Sequence, residues 1–315
     1  MLTVGERRLA TGTEKGTVEL WRLSEATTAG RIGSKPLNFG APVVAIALGP
    51  NDKVAASGPQ GAIAFWDVQS DQRVQRAATV GQKRTVLSLR YNTAANQFMA
   101  VVLLPGEGAG NRNYQTMLER WSPNGTSVEK PKPIKAVGAR FVAAAAFAPN
   151  CDLLALATIP YELIVVHPGG DAPLFQLPLS NYTSALVFSP DGRRIAAAGD
   201  YEQIRIWEQT DASKFTHLVD FDLRRLAVRW GADIERVTAL AFSPDGRFLA
   251  SAHSADRIAV WDTRSPEQPL AEYEDQLPAG SIKWLALLQP SPGDLVLLRP
   301  WDDQTTRRIS IEPAR

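Results

Sequence analysis

A chain of 315 residues, 44% hydrophobic and 21% charged, is long and apolar enough to bury a substantial core. Its 34 basic residues against 33 acidic ones leave a net charge of +1, with no basic excess to bind nucleic acid or an anionic membrane. Cys151 is the single cysteine, so an intrachain disulfide is excluded. The start lacks the apolar h-region of a signal peptide, and no stretch approaches the roughly 20 apolar residues of a membrane span. The expectation is a cytoplasmic protein, at home in a reducing compartment.

In chain order, short apolar strands recur at intervals of roughly 40–55 residues, the period of a four-stranded propeller blade. Strands ending in tryptophan come first at Val18-Glu19-Leu20-Trp21, Ile63-Ala64-Phe65-Trp66-Asp67 and Met117-Leu118-Glu119-Arg120-Trp121. After Leu163-Ile164-Val165-Val166, His167 takes the tryptophan's place. The pattern then sharpens in two segments, Thr183 to Trp207 and Val237 to Trp261, and fades towards Ile311. The strand Val237 to Phe242 is apolar or small on both faces, as a sheet sandwiched between sheets requires. Residues 218–230 read equally as a short helix or an outer strand. First strands are expected at 43–48, 86–91, 142–147 and, more weakly, 283–288. All-β is the fold class this implies.

The two sharpest segments each carry a turn of defined chemistry, Phe188-Ser189-Pro190-Asp191-Gly192 and Phe242-Ser243-Pro244-Asp245-Gly246. Proline presets φ, aspartate bonds its own backbone and glycine takes positive φ. With the Trp-Asp pairs at Trp66-Asp67 and Trp261-Asp262, these residues resemble the WD-repeat family in a divergent, prokaryotic-type form. The resemblance implies a single β-propeller over residues 1–315, with seven blades of four antiparallel strands. The blades would end near residues 21, 66, 121, 167, 207, 261 and 311. It also implies a top face, at the mouth of a channel, where partners bind.

Two departures from the family follow. Its Gly-His pair before the first strand and its Asp before the third are missing from their places, Asp256 being one position off. The polar network that ties such blades together is therefore expected to give way to apolar packing, since a half-satisfied buried network costs more than none. Aligning Gly5 to Gly12 with Asp245 to Ala252 leaves the first blade short of its first strand and the last short of its fourth. An upstream extension is expected to fill both gaps, although residues 1–4 could supply a short first strand instead.

No catalytic constellation emerges. His167 reads as structural, His253 as bonded within its own blade and His217 as solvated; none has metal-ligand spacing, and one cysteine makes no zinc site. The glycine-rich stretch 106–110 joins two strands and leads into no helix, so it reads as a hairpin loop rather than a phosphate cradle. A hydrolytic propeller gathers oxygen ligands around a cation. Here Pro42, Thr85, Phe141, Tyr182, Arg236 and Ile282 lead into the first strands, without a carboxylate among them, though Asp233 and Glu235 lie near. Catalytic, cofactor and metal residues are therefore all expected to be none.

The remaining reading is a non-catalytic, monomeric platform for other proteins or peptides, with neither nucleic acid nor membrane as partner. Its expected contact residues are Lys83, Arg84, Arg140, Phe141, Tyr182, Arg236, Lys283 and Trp284, since arginine and aromatic residues dominate binding hot spots. The plainer reading of the same residues puts Phe141 and Trp284 in the core and leaves the cations as a solvated rim. The alternative function is a small-molecule-binding or hydrolytic propeller that uses its channel.

Overall fold

The computed structural model describes residues 2–5, 8–13, 15–23, 29–70, 72–77, 84–106, 113–200, 203–211, 214–230, 236–254, 257–274, 285–289, 295–300 and 306–311. The chain divides into two compact units, residues 1–154 with 166–173, and residues 155–165 with 174–315.

In the first unit, a four-stranded sheet runs β1 (Leu2–Gly5), β2 (Arg8–Gly12), β3 (Thr17–Leu23), β4 (Ala29–Asn38). The second runs β5 (Ala45–Leu48), β6 (Lys53–Ser57), β7 (Ile63–Asp67), β8 (Gln72–Ala77), and the third β9 (Thr85–Asn92), β10 (Gln97–Pro105), β11 (Tyr114–Trp121), β12 (Lys132–Pro133). Strand β13 (Phe141–Phe147) also belongs to this unit.

The second unit takes β14 (Leu154–Ile159) from Ala155 onward, β15 (Glu162–Val166) as far as Val165, and β16 (Phe175–Pro178). A four-stranded sheet follows, β17 (Thr183–Phe188), β18 (Arg194–Gly199), β19 (Gln203–Asp211), β20 (Lys214–Asp222), then the helix α1 (Arg224–Trp230). The stretch 218–230, open between helix and outer strand in the sequence, is therefore both in succession. The last two sheets are β21 (Val237–Phe242), β22 (Phe248–His253), β23 (Arg257–Asp262), β24 (Ala271–Glu274), and β25 (Ala286–Leu288), β26 (Leu295–Pro300), β27 (Thr306–Ile311).

Six sheets of three or four strands thus lie wholly in one unit or the other, where the sequence led us to expect seven blades of four. In the second unit β15 pairs with β16, Glu162 opposite Pro178 and Val165 opposite Phe175. The expected gap at the start is corrected: Leu2 pairs with Thr11 and Gly5 with Arg8, so β1 completes the first sheet. The last sheet has three strands among the described residues.

Within each unit, successive sheets bury their apolar faces on one another. Leu20 and Val18 meet Ile46, Val54 and Trp66 in the first unit, and Phe65 and Ile63 meet Phe98 and Val102. In the second, Ile204, Ile206 and Phe221 meet Leu249 and Trp261, and Ile258 and Val260 meet Leu285 and Leu297. Burial on both faces explains why these strands read as continuous apolar runs.

The turns between first and second strands follow one geometry. Ser189 Oγ donates to Asp191 Oδ1 (2.5 Å) and the Gly192 N–H to the Ser189 carbonyl (2.9 Å), with Gly192 at φ 76°. Ser243, Asp245 and Gly246 repeat the arrangement, with Gly246 at φ 70°. In fainter copies Asp52, Asn96 and Cys151 take the left-handed position, at φ 58°, 50° and 59°. Their lack of glycine is why those turns are harder to read in the sequence.

Candidate protein-binding surface

In the first unit the structure separates the expected contact residues by role. Arg84 Nη2 donates to Glu119 Oε2 (2.8 Å), and the two side chains are only 8% and 5% exposed, so Arg84 is part of a buried ion pair. Its stem lies against Gly61, where a Cβ would come within 2.4 Å of Arg84 Cγ. The sequence reading of Arg84 as a rim cation is corrected on this point. Phe141 is half-buried and meets Tyr114 edge-on at 4.9 Å, which favours packing over contact with a partner. Arg140 is half-buried, its N–H donating to the Val137 carbonyl (3.2 Å). Lys83 lies outside the described residues.

In the second unit the structure brings Tyr182 and Arg236 together. The Arg236 guanidinium lies 5.5 Å from the centre of the Tyr182 ring, and its Nε donates to Asp200 Oδ1 (2.6 Å). The Arg236 side chain remains 51% exposed. Backbone pairing fixes this group from below: Asp200 and Arg236 form an antiparallel bridge, and the Asp200 N–H donates to the Tyr182 carbonyl (3.0 Å). Lys283 and Trp284 lie outside the described residues.

Beside this group opens a small cleft bordered by Tyr182, Gly199, Asp200, Gln203 and Arg205. Arg205 holds Asp220 with two bonds, Nε to Oδ1 (2.9 Å) and Nη2 to Oδ2 (3.1 Å). With its amide turned to suit its neighbours, Gln203 donates to Asp220 Oδ2 (3.2 Å) and accepts from Arg205 Nη2 (2.9 Å) and Ser180 Oγ (3.0 Å). Partial burial raises the Asp220 pKa, but bonds from Arg205 and His217 outweigh it and hold the carboxyl below its ordinary value. The cleft wall is therefore charged yet internally neutralised.

Asp200, Gln203, Arg205 and Asp220 were not singled out from the sequence. A signal existed for one of them. Asp200 follows Gly199 where Ser254 follows His253, and each donates its N–H to the residue leading into the first strand of its sheet.

The same comparison explains the cleft. Trp207 pairs with Ile195, Trp66 with Val54 and Trp261 with Leu249 in the three registers. Counting the same distance onward from those partners reaches Gly199, Gly58 and His253. At Gly58, a Cβ would lie 2.2 Å from Phe39, whose ring sits 5.9 Å from Trp66, so apolar packing fills this place. At His253 a polar chain survives instead. Trp261 Nε1 donates to Ser251 Oγ (3.0 Å), which lies 3.0 Å from His253 Nε2. His253 thus bonds within its own sheet. Asp256 lies outside the described residues. At Gly199 no side chain can take the place that His253 fills, because a Cβ would stand 1.7 Å from the Tyr182 carbonyl oxygen.

The titratable groups expected to be inert have structural surroundings. Burial pushes the Cys151 thiol up to about 11 and the His253 imidazole down to about 3. His167 Nδ1 lies 2.8 Å from the Asp152 carbonyl, and His217 Nε2 2.9 Å from Asp220 Oδ1. Among the described residues no group of three or more His, Cys, Asp or Glu could hold a metal ion, and no helix is long and apolar enough to cross a membrane.

Comparison with known proteins agrees with this architecture. The WD40 family model (WD domain, G-beta repeat) matches residues 178–208 and 231–262, the two sharpest copies. The chain is 28% identical over 123 residues to the Target of rapamycin complex subunit wat1 of Schizosaccharomyces pombe, covering 37% of this chain and 34% of that protein. It is 29% identical over 130 residues to the COMPASS component SWD1 of Saccharomyces cerevisiae, covering 40% and 27%. Protein HIR1 of Eremothecium gossypii is 30% identical over 102 residues, covering 30% and 12%. The matched segments span about a third or less of these relatives, and nothing in them supports a prokaryotic type of repeat. Among solved structures, the beta-propeller domain of Myceliophteria thermophila Cps50 (Swd1) superposes with a TM-score of 0.71 at 15% identity, over 98% of this chain and 96% of that one. The chain therefore has the fold of a single β-propeller, and its residues 178–208 and 231–262 match the WD40 repeat model.

Proposed function

We propose that this protein is a non-catalytic platform that binds another protein through the exposed face around Tyr182 and Arg236. The observation that carries the reading is the state of Arg236: half exposed, stacked on an aromatic ring and held by Asp200. A pre-ordered arginine over a tyrosine presents donors and an apolar surface with little entropy left to lose on binding. Relatives described as a subunit of the Target of rapamycin complex and a component of COMPASS support a role inside a protein assembly. The partner chemistry that fits is a carboxylate-bearing loop that competes with Asp200 for the guanidinium. The setting we propose is the cytoplasm.

The test compares the wild-type chain with Tyr182→Ala/Arg236→Ala in quantitative affinity purification, with thermal melts as the control for folding. A stoichiometric protein recovered with the wild type and lost from the equally stable variant is the expected result. Undiminished recovery by the variant would show the face to be wrong. Recovery of no protein, together with thermal stabilisation by a lactone or a metal ion, would replace the platform by a small-molecule binder.

A further inference from the structure

The cleft beside Arg236 owes its shape to two side chains that its strands omit. In the sheet of β21 and β22, Val237 faces His253, and Ser251 stands two residues earlier. The same register in the sheet of β17 and β18 sets Thr183 opposite Gly199, with Ala197 two residues earlier. Alanine and glycine thus stand where the other sheet has serine and histidine, and both line the cleft. The space measures about 300 Å³ with its open mouth included, at the lower end of the range for small-molecule sites. It suits one side chain better than a whole metabolite.

The polar groups on its wall are unevenly used. Arg205 spends Nε and Nη2 on Asp220, and Asp200 spends Oδ1 on Arg236. Arg205 Nη1, Asp200 Oδ2 and Thr183 Oγ1 enter no hydrogen bond among the described residues. Thr183 lines the cleft and is only 5% exposed, so its hydroxyl has little water to turn to. One donor and two acceptors are therefore left for whatever enters.

Charge decides among the candidates. Each cation here already has its carboxylate, Arg205 with Asp220 and Arg236 with Asp200. An entering carboxylate would offer acceptors alone and face two acids; an ammonium would offer donors alone and face two arginines. Either would lose water without finding an unpaired counter-ion. A primary amide brings a carbonyl for Arg205 Nη1 and two N–H donors for Asp200 Oδ2 and Thr183 Oγ1, with no charge.

We propose that this cleft takes the side-chain amide of an asparagine or glutamine of the partner protein. The proposal rests on the platform reading and adds specificity to it: the partner's carboxylate meets Arg236 while its amide enters the cleft.

The probe is propionamide, titrated into the full chain and followed by the nuclear magnetic resonance shifts of the Thr183, Gly199 and Asp200 amides and the Arg205 Nε–H. Butanone and propionate, which have nearly the same shape, are the controls. Saturable shifts with propionamide are expected, with binding at least fivefold weaker for either control. Thr183→Val, folded by its thermal melt, should weaken propionamide at least threefold, while Tyr182→Ala/Arg236→Ala retains it. Equal binding of butanone would make the cleft a mere apolar dip, and equal or tighter binding of propionate an anion site; each overturns the proposal, as does the absence of saturable shifts in the wild type. Propionamide binding alongside undiminished partner recovery by Tyr182→Ala/Arg236→Ala would sink the face reading alone. Partner loss in that variant without propionamide binding would sink the amide cleft alone.

Discussion

Arg236 stands just before β21 as Tyr182 stands just before β17, and its guanidinium lies 5.5 Å from the tyrosine ring. One repeat position thus supplies both halves of the stacked pair. Asp200, at the end of β18, completes it by bonding the guanidinium and bridging to the Arg236 backbone. The unit is built by sheet geometry and needs no ligand to form. Its exposure makes it better suited to recognition than to stability.

Substituting Arg236 by alanine should accordingly change stability by less than about 1 kcal/mol, because exposed ion pairs and cation–π contacts are worth little in water. Affinity for a partner seated on this face should fall by about 2 kcal/mol or more, the mark of a hot spot. Arg236→Lys should fall between the two, since it keeps the charge but loses the planar stack. Thermal melts and titration calorimetry check both parts. A large stability loss with unchanged binding would place Arg236 among the structural arginines.

Gly199→Ala should do the opposite. Its Cβ would stand 1.7 Å from the Tyr182 carbonyl oxygen, a backbone atom that cannot step aside as a side-chain tip can. Overpacking of this kind costs about 1–3 kcal/mol. The variant should melt lower and lose the Tyr182–Arg236 contact, visible as a shift in tyrosine fluorescence and near-ultraviolet circular dichroism. An unshifted melt would show that the strand can give way at this point.

Much of the architecture was legible because its chemistry is local. The Ser189 and Ser243 turns declare themselves through proline, aspartate and glycine, and Trp21, Trp66, Trp121, Trp207 and Trp261 each fall in a third strand. The turn at Cys151 was harder, since a left-handed cysteine carries no sequence signature. The site was legible only in part. Tyr182 and Arg236 emerge from their place before the first strands, but Asp200 becomes relevant only through a bridge to a residue 36 positions on. Arg84 misled because a charge at a strand start reads as solvated, whereas Glu119 across the sheet draws it inside.

That buried pair makes a third prediction. Arg84→Ala should destabilise the protein by about 3–5 kcal/mol, because it strands the Glu119 carboxylate in a site only 5% exposed. The double variant Arg84→Met/Glu119→Gln should recover most of this loss, since neither residue then carries a charge. Urea denaturation of the three proteins measures the coupling. If the single and double variants lose equally, packing on Gly61 rather than charge is what Arg84 contributes.

His253 sets the pH response. Burial holds its pKa at about 3 in the folded chain, against about 6.5 for an imidazole in the unfolded chain. Above pH 6.5 both states are neutral and the residue is indifferent to pH. Between 6.5 and 3 the unfolded chain binds a proton that the folded one refuses, so stability falls as the pH is lowered. The slope approaches about 1.4 kcal/mol per pH unit for this one group. The cause lies in its neighbours: Ser251 at Nε2, the Trp230 ring edge-on at 5.2 Å, and no partner at Nδ1 among the described residues. None of these offers a negative charge to an imidazolium. His253→Gln keeps a polar contact to Ser251 and removes the titration, so its stability between pH 6.5 and 5 should be markedly flatter than that of the wild type. Urea midpoints measured across that interval, above the range where carboxylates dominate, decide the matter. Parallel pH profiles would mean that His253 accepts its proton without unfolding, through a partner that the buried imidazole reaches once charged.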